Sequence, residues 1–231
     1  MSSKPDRGHL SRITFAGLLI TLGIVYGDIG TSPLYVMKAI IAGARGPIDE
    51  GYILGALSCI VWTLTLQTTL KYVLITLKAD NHGEGGIFAL YALVRKKRKW
   101  IFIPAAIGGA ALLADGVITP SITVLSSVEG LKLTSPTIPV IPITLLILTV
   151  LFIFQQFGTA NIGKMFGPVM LIWFSMLAFL GLIHLVDYPA VFKALNPVYA
   201  IRLLVDYPGG FILLGAVFLC TTGAEALYSD L

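Results

Sequence analysis

Long apolar runs alternate with short polar stretches along this chain, and the runs have the length of membrane crossings. A bilayer core takes about 20 helical residues. Six segments are read as spans on that pattern: 13–41, 52–77, 100–128, 140–154, 166–186 and 209–228, after a short tail of residues 1–12. Ile87 to Val94 is apolar but too short to cross, and reads as a re-entrant or interfacial piece. The stretch carrying Asp187, Lys193, Asn196, Arg202 and Asp206 reads as a polar connection. The expected fold class is an all-α integral membrane protein.

The first span does not read as one helix. Leu22 to Tyr35 is LGIVYGDIGTSPLY, and its middle holds Gly27, Asp28, Gly30, Thr31, Ser32 and Pro33. Gly costs a helix roughly 1 kcal/mol against Ala, and Pro removes a donor and clashes with the preceding turn. A break is therefore predicted at Asp28 to Pro33, at mid-membrane depth. Broken backbone in a bilayer is tolerated only where it is packed in protein or lines a wet cavity. The sixth span has the same character at Thr221 to Glu225, TTGAE, around Gly223. In transporters built from inverted repeats of five helices, the first helix of each repeat is discontinuous and carries the site. Spans one and six occupy those positions. The chain stops at Leu231 with no membrane exit in view, so about the first half of such a fold is expected here, with further spans to follow.

Composition sharpens this picture. Of 231 residues 56% are hydrophobic and 12% charged, with a mean hydropathy of +0.88, against about 25% charged in soluble domains. The formal charge of +4 is no nucleic-acid footprint, because the basic residues lie between apolar runs. Cys59 and Cys220 both fall inside such runs and read as small buried hydrophobes. Basic residues also orient the chain. With the N-terminus in the cytoplasm, the inner side collects Lys4, Arg7, Arg12, Lys71, Lys78, Arg95, Lys96, Lys97, Arg98, Lys99 and Lys164. The outer side collects Lys38, Arg45, Lys132, Lys193 and Arg202, so eleven of the sixteen lie inside. The cluster Arg95 to Lys99 then reads as a topology anchor against anionic lipid.

Three carboxylates lie inside the spans: Asp28, Asp115 and Glu225. Charge in hydrocarbon costs several kcal/mol, so such a residue is a site candidate by default. Asp28 sits on the predicted break, where freed carbonyls supply further oxygens for a cation. Asp115 opens a helical stripe with Thr119 and Thr123, four and eight residues on. Pro120 has no N–H and leaves the carbonyl of Gly116 without its helical donor. The alternative for both threonines is a bond to their own backbone. Tyr35 either points back at the break or packs in the core. Thr222 shares a face with Glu225 if that turn is helical. Three ionised carboxylates around one monovalent cation leave excess negative charge, and desolvation and like charge both favour protonating at least one. Asp115 and Glu225, beside hydroxyls, are the expected proton-sharing pair.

No enzyme is readable. The loop Asn81 to Gly86 lacks the Lys-Ser/Thr ending of a phosphate-binding loop, and reads as a tight cytoplasmic turn or a gate element. His9 and His184 have no partner at ligand spacing.

Taken in order, GIVYGDIGTSPLY (23–35), KADNHGEGGIFALYAL (78–93), DGVITPSITVLSSVEGL (115–131), FGTANIGKMFGPVMLIWF (157–174), ALNPVYAI (194–201) and GAEALYSDL (223–231) resemble the Kup potassium-uptake family. The resemblance implies a potassium–proton symporter in the cell membrane, multi-pass and without cofactors, with the inverted-repeat fold of the amino acid–polyamine–organocation superfamily. It implies about twelve spans and a cytosolic C-terminal domain, through which a homodimer could form. Positions matching Asp28, Tyr35, Asp115, Thr119, Thr123, Thr222 and Glu225 belong to the family's ion-binding region. Many relatives carry Glu where this chain has Asp115. Competing readings are a transporter of the same fold for another cation or an amino acid, and a non-transporting membrane sensor or scaffold. Asp28 would repel an amino acid's carboxylate, and a scaffold gains nothing from intramembrane carboxylates.

A cysteine replacing Lys97 is expected to resist an impermeant thiol reagent applied to intact cells. Ready labelling from outside would reverse the orientation.

Overall fold

The computed structural model describes residues 23, 26–27, 29–76, 85–95, 99–155 and 159–224. Among these residues every regular element is helical. In chain order the α-helices are α1 Pro33–Ala42, α2 Glu50–Leu64, α3 Gly86–Val94, α4 Phe102–Gly130, α5 Val140–Gln155, α6 Thr159–Asp187, α7 Pro197–Asp206 and α8 Gly210–Phe218. A π-helix, Thr65–Ile75, continues α2, and short 3-10 turns join or end several of the others. Among the described residues three stretches are long and apolar enough to cross a membrane: Glu50–Ile75, Phe102–Leu133 and Phe166–Asp187. Pro33–Ala42, Val140–Phe154 and Gly210–Thr221 are shorter apolar helices.

The polar connection of residues 187–206 is more structured than the sequence pattern suggests. Pro189–Leu195 is a 3-10 turn and α7 follows it. Asn196 caps α7 by accepting from the Val198 N–H at 3.0 Å, with Pro197 at the first helical position. Ala200, Leu203, Leu204 and Tyr207 fall at helical spacing, and that face packs on α2. The seam is partly polar: Ser58 Oγ donates to Asn196 O at 3.0 Å and Trp62 Nε1 to Leu195 O at 3.1 Å. A ten-residue amphipathic helix is too short to register as a span, which is why hydropathy passed over it.

One buried cluster ties α1, α2, α7 and α8 together: Tyr35, Val36, Ile40, Tyr52, Ala56, Cys59, Ala200, Leu203, Leu213, Val217 and Cys220. Both cysteines are free and buried here. At one end, Asp49 caps α2 by accepting from the Tyr52 N–H at 2.8 Å, and the Tyr207 hydroxyl donates to the same oxygen at 2.6 Å. The Tyr207 hydroxyl, then the Tyr52 amide, hold the Asp49 carboxyl below its ordinary value. The stability this lends is present above the ordinary carboxylate range and is lost as pH falls through the depressed value. Lys38 of α1 pairs with Glu129 of α4, the one ion pair among the described residues.

Leu203 is 1% exposed, and Val205 on the same helix is 75% exposed. Leu203→Ala is expected to cost about 2–5 kcal/mol, against under about 0.5 kcal/mol for Val205→Ala. Thermal unfolding of the purified protein in detergent reads the difference. Equal losses would mean that α7 is not held through this face.

Candidate functional site

The first span breaks at its glycine and serine. Tyr26, Gly27 and Ile29 are helical, Gly30, Thr31 and Ser32 form a turn, and helical winding resumes at Pro33. Gly30 N–H still donates to Tyr26 O at 2.8 Å. The break therefore starts at Gly30, three residues beyond Gly27. On the far side, Val36 N–H donates to Ser32 O at 3.1 Å, and Pro33 occupies the first turn, where its missing N–H costs nothing. Asp28 itself lies outside the described residues.

Helix α6 holds this break in place. The Trp173 indole N–H donates to Gly30 O at 2.8 Å, so a carbonyl at the turn gains a donor from another helix. Tyr26 meets Phe174 edge-on, ring centroids 5.9 Å apart. The approach is too close for a side chain: a Cβ on Gly23 would stand 2.4 Å from the Gly167 backbone nitrogen, and one on Gly30 2.5 Å from Met170. Glycine at both positions is thus a packing requirement as well as a weakness in the helix.

The sixth span unwinds at the level the sequence pattern indicates. α8 ends at Phe218, a 3-10 turn covers Leu219–Thr221, and Thr222 is extended at φ −57°, ψ 132°. Gly223 takes φ +84°, a conformation that favours glycine. Glu225 lies outside the described residues, so only the approach to it is in view.

Asp115 lies midway along α4, and Thr119 Oγ1 donates to its Oδ1 at 2.8 Å. The threonine hydroxyl therefore serves the carboxylate and not its own backbone. Thr123, one turn further, has a buried hydroxyl with no partner. A buried hydroxyl without a partner costs about 1–3 kcal/mol, and it shares the helix stripe of Asp115 and Thr119. Pro120 does not end α4, which runs unbroken from Phe102 to Gly130. Proline deletes a single ladder bond, and the rest of a 29-residue helix carries on past it.

A cavity of about 210 Å³ brings three elements together: Asp115 of α4, Phe218, Thr221 and Thr222 at the end of α8, and Gln67, Lys71 and Tyr72 of the π-helix. The structure thus unites Asp115 and Thr222, with Thr119 bonded behind the carboxylate. Tyr35 is not on this wall. It is buried in the core cluster, its hydroxyl 3.2 Å from Ser32 Oγ at the first break. Gln67, Lys71 and Tyr72 were not singled out from the sequence as site residues. Their signal was present, since Gln67 and Lys71 are polar interruptions in an apolar span. Among the described residues no group of His, Cys, Asp and Glu is arranged to hold a metal ion.

The family model described as the K+ potassium transporter integral membrane domain matches residues 15–231. The chain is 61% identical over 235 residues to the probable potassium transport system protein Kup of Flavobacterium johnsoniae, covering 100% of this chain and 35% of that protein. It is 60% identical to the protein of the same name from Cytophaga hutchinsonii, covering 100% of this chain and 36% of the relative. It is 58% identical to that of Ligilactobacillus salivarius, with 96% of this chain covered. The chain thus spans about a third of the length of the curated relatives it matches. No solved structure matches it.

Trp173→Phe keeps the ring and deletes the donor to Gly30 O. It is expected to cost about 1–3 kcal/mol of stability, measured by thermal unfolding in detergent against Trp100→Phe, whose parent side chain is exposed. A loss no greater than the control's would mean another donor serves the carbonyl.

Proposed function

The chain belongs to the K+ potassium transporter family of integral membrane domains, and from that premise we propose that the whole protein imports potassium across the cell membrane with proton coupling. The observation that carries this reading is Asp115. Its carboxylate lies midway along an apolar helix, accepts from Thr119 at 2.8 Å, and lines a cavity opposite the unwound end of α8. That is a charge with oxygens beside it at a place where hydrocarbon would penalise both. A dehydrated monovalent cation compensates the carboxylate, and the hydroxyls of Thr119, Thr123 and Thr222 replace water around it.

The interruptions in the first and sixth helices support the inverted-repeat fold of the amino acid–polyamine–organocation superfamily, with the substrate site between the two. In this reading Asp28 and Glu225 complete the ion site from those two helices. Tyr35 acts through Ser32, steadying the turn that presents Asp28. The N-terminus is cytoplasmic, a homodimer would form through the C-terminal region, and no cofactor takes part. Asp28 serves direct coordination, because it sits beside broken backbone. Asp115 and Glu225 share a proton with the ion, since several ionised carboxylates in one dry site cannot all stay charged around a single monovalent cation.

In the full-length protein, Asp28→Asn is expected to abolish saturable rubidium uptake at every external pH, because an amide oxygen does not replace a full charge. Asp115→Asn and Glu225→Gln mimic a permanently protonated acid, and each is expected to flatten the pH dependence of uptake. Rubidium uptake into potassium-uptake-deficient cells, from about pH 5.5 to 8 and normalised to surface expression, reads all three. Normal transport by Asp28→Asn, or wild-type pH profiles in both other variants, would overturn this division of roles.

A further inference from the structure

The cavity at Asp115 has a feature that potassium binding alone does not call for: a cation of the protein's own. Lys71 lines it together with Asp115 and Thr222. Among the described residues no carboxylate lies within ion-pair distance of the Lys71 ammonium, which instead stands 4.8 Å from the centroid of the Tyr72 ring.

Backbone winding is what brings this charge to the cavity. Thr65–Ile75 is an 11-residue π-helix, closed at its end by the Thr76 N–H and hydroxyl on Lys71 O, the hydroxyl at 2.7 Å. π-winding is rare, usually confined to one turn, and frequent at functional sites. Hydrogen bonds spanning five residues close each turn between positions i+4 and i+5. Gln67, Lys71 and Tyr72 stand at i, i+4 and i+5, so all three reach one wall. In an α-helix Tyr72 would turn well away from Gln67. The lysine, its aromatic neighbour and the amide are thus a set made by the π-helix.

We propose that Lys71 is a fixed positive charge built into the ion cavity, an affinity-setting residue that weakens cation binding there and keeps the ion-free cavity nearer to neutral. This rests on the potassium reading above. Charges on the wall of one cavity act on the same ion, so the ammonium opposes a potassium ion at Asp115. Weakened binding serves a carrier, which must release its cargo on the far side. Partial neutralisation of the carboxylate lets the empty site cross between its two faces at lower cost. Otherwise Lys71 is a lysine at a span end that extends its ammonium to the lipid headgroups, and its charge does not reach the ion.

The test is rubidium uptake against rubidium concentration, in potassium-uptake-deficient cells carrying the full-length protein, with surface amounts measured. Lys71→Met is expected to lower the KM for rubidium about tenfold and to lower the maximal rate. Lys71→Arg, which keeps the charge, is expected to stay within about twofold of the wild-type KM. An unchanged or raised KM in Lys71→Met, with saturable uptake by the wild type, overturns this inference and leaves the potassium reading standing. Absence of saturable uptake by the wild-type protein overturns that reading and this inference with it. If Lys71→Met fails to reach the membrane, Lys71→Gln carries the same comparison. Failure of both neutral variants to accumulate, while Lys71→Arg does, assigns the charge to folding and also overturns the proposal.

Discussion

A carbonyl released from a helix inside a bilayer has to find a donor, because hydrocarbon offers none. The turn at Gly30 to Ser32 meets that demand by borrowing: the Trp173 indole donates to Gly30 O from another helix. This bond and the Gly23–Gly167 approach fix the first span against α6. With the break held, Pro33 can restart the helix and α1 can deliver Tyr35, Val36 and Ile40 to the core.

The core in turn supports the helix that leads to the second break. Tyr35 and Cys220 share one buried cluster, so α8 is anchored up to the point where it unwinds. The turn that leads into α7 adds a clamp from the side, its Leu195 and Asn196 carbonyls accepting from Trp62 and Ser58. Two short helices without a full span of their own are therefore held by neighbours, as interrupted helices in lipid must be.

Between these anchors lies the cavity at Asp115. Its chemistry is unlike the core's: a carboxylate with a hydroxyl donor, further hydroxyls at Thr221 and Thr222, an amide and an ammonium. Each would be costly in lipid; the oxygens suit a small cation, and the ammonium is the one group that a cation does not call for. The π-helix that forms one wall departs from ordinary helical winding at the place where polar side chains are needed together.

The amino-acid pattern by itself determined much of this. Apolar length predicted membrane helices, Gly30 and Gly223 marked where winding fails and Pro33 where it restarts, because glycine and proline act through their own backbone wherever they stand. Asp115 with Thr119 was legible too, since a spacing of four closes one helical turn. Other features only the tertiary structure decided. Trp173 as the donor to Gly30 is set by the crossing of two helices 143 residues apart in sequence. The helicity of residues 197–206 depends on α2 to cover its apolar face. The placing of Gln67, Lys71 and Tyr72 on one wall follows from π-winding, which no residue type specifies. Local conformational preference is written in each residue, whereas which helix meets which is decided by packing across the whole set. That is why the breaks could be read from the chain and the wall opposite Asp115 could not.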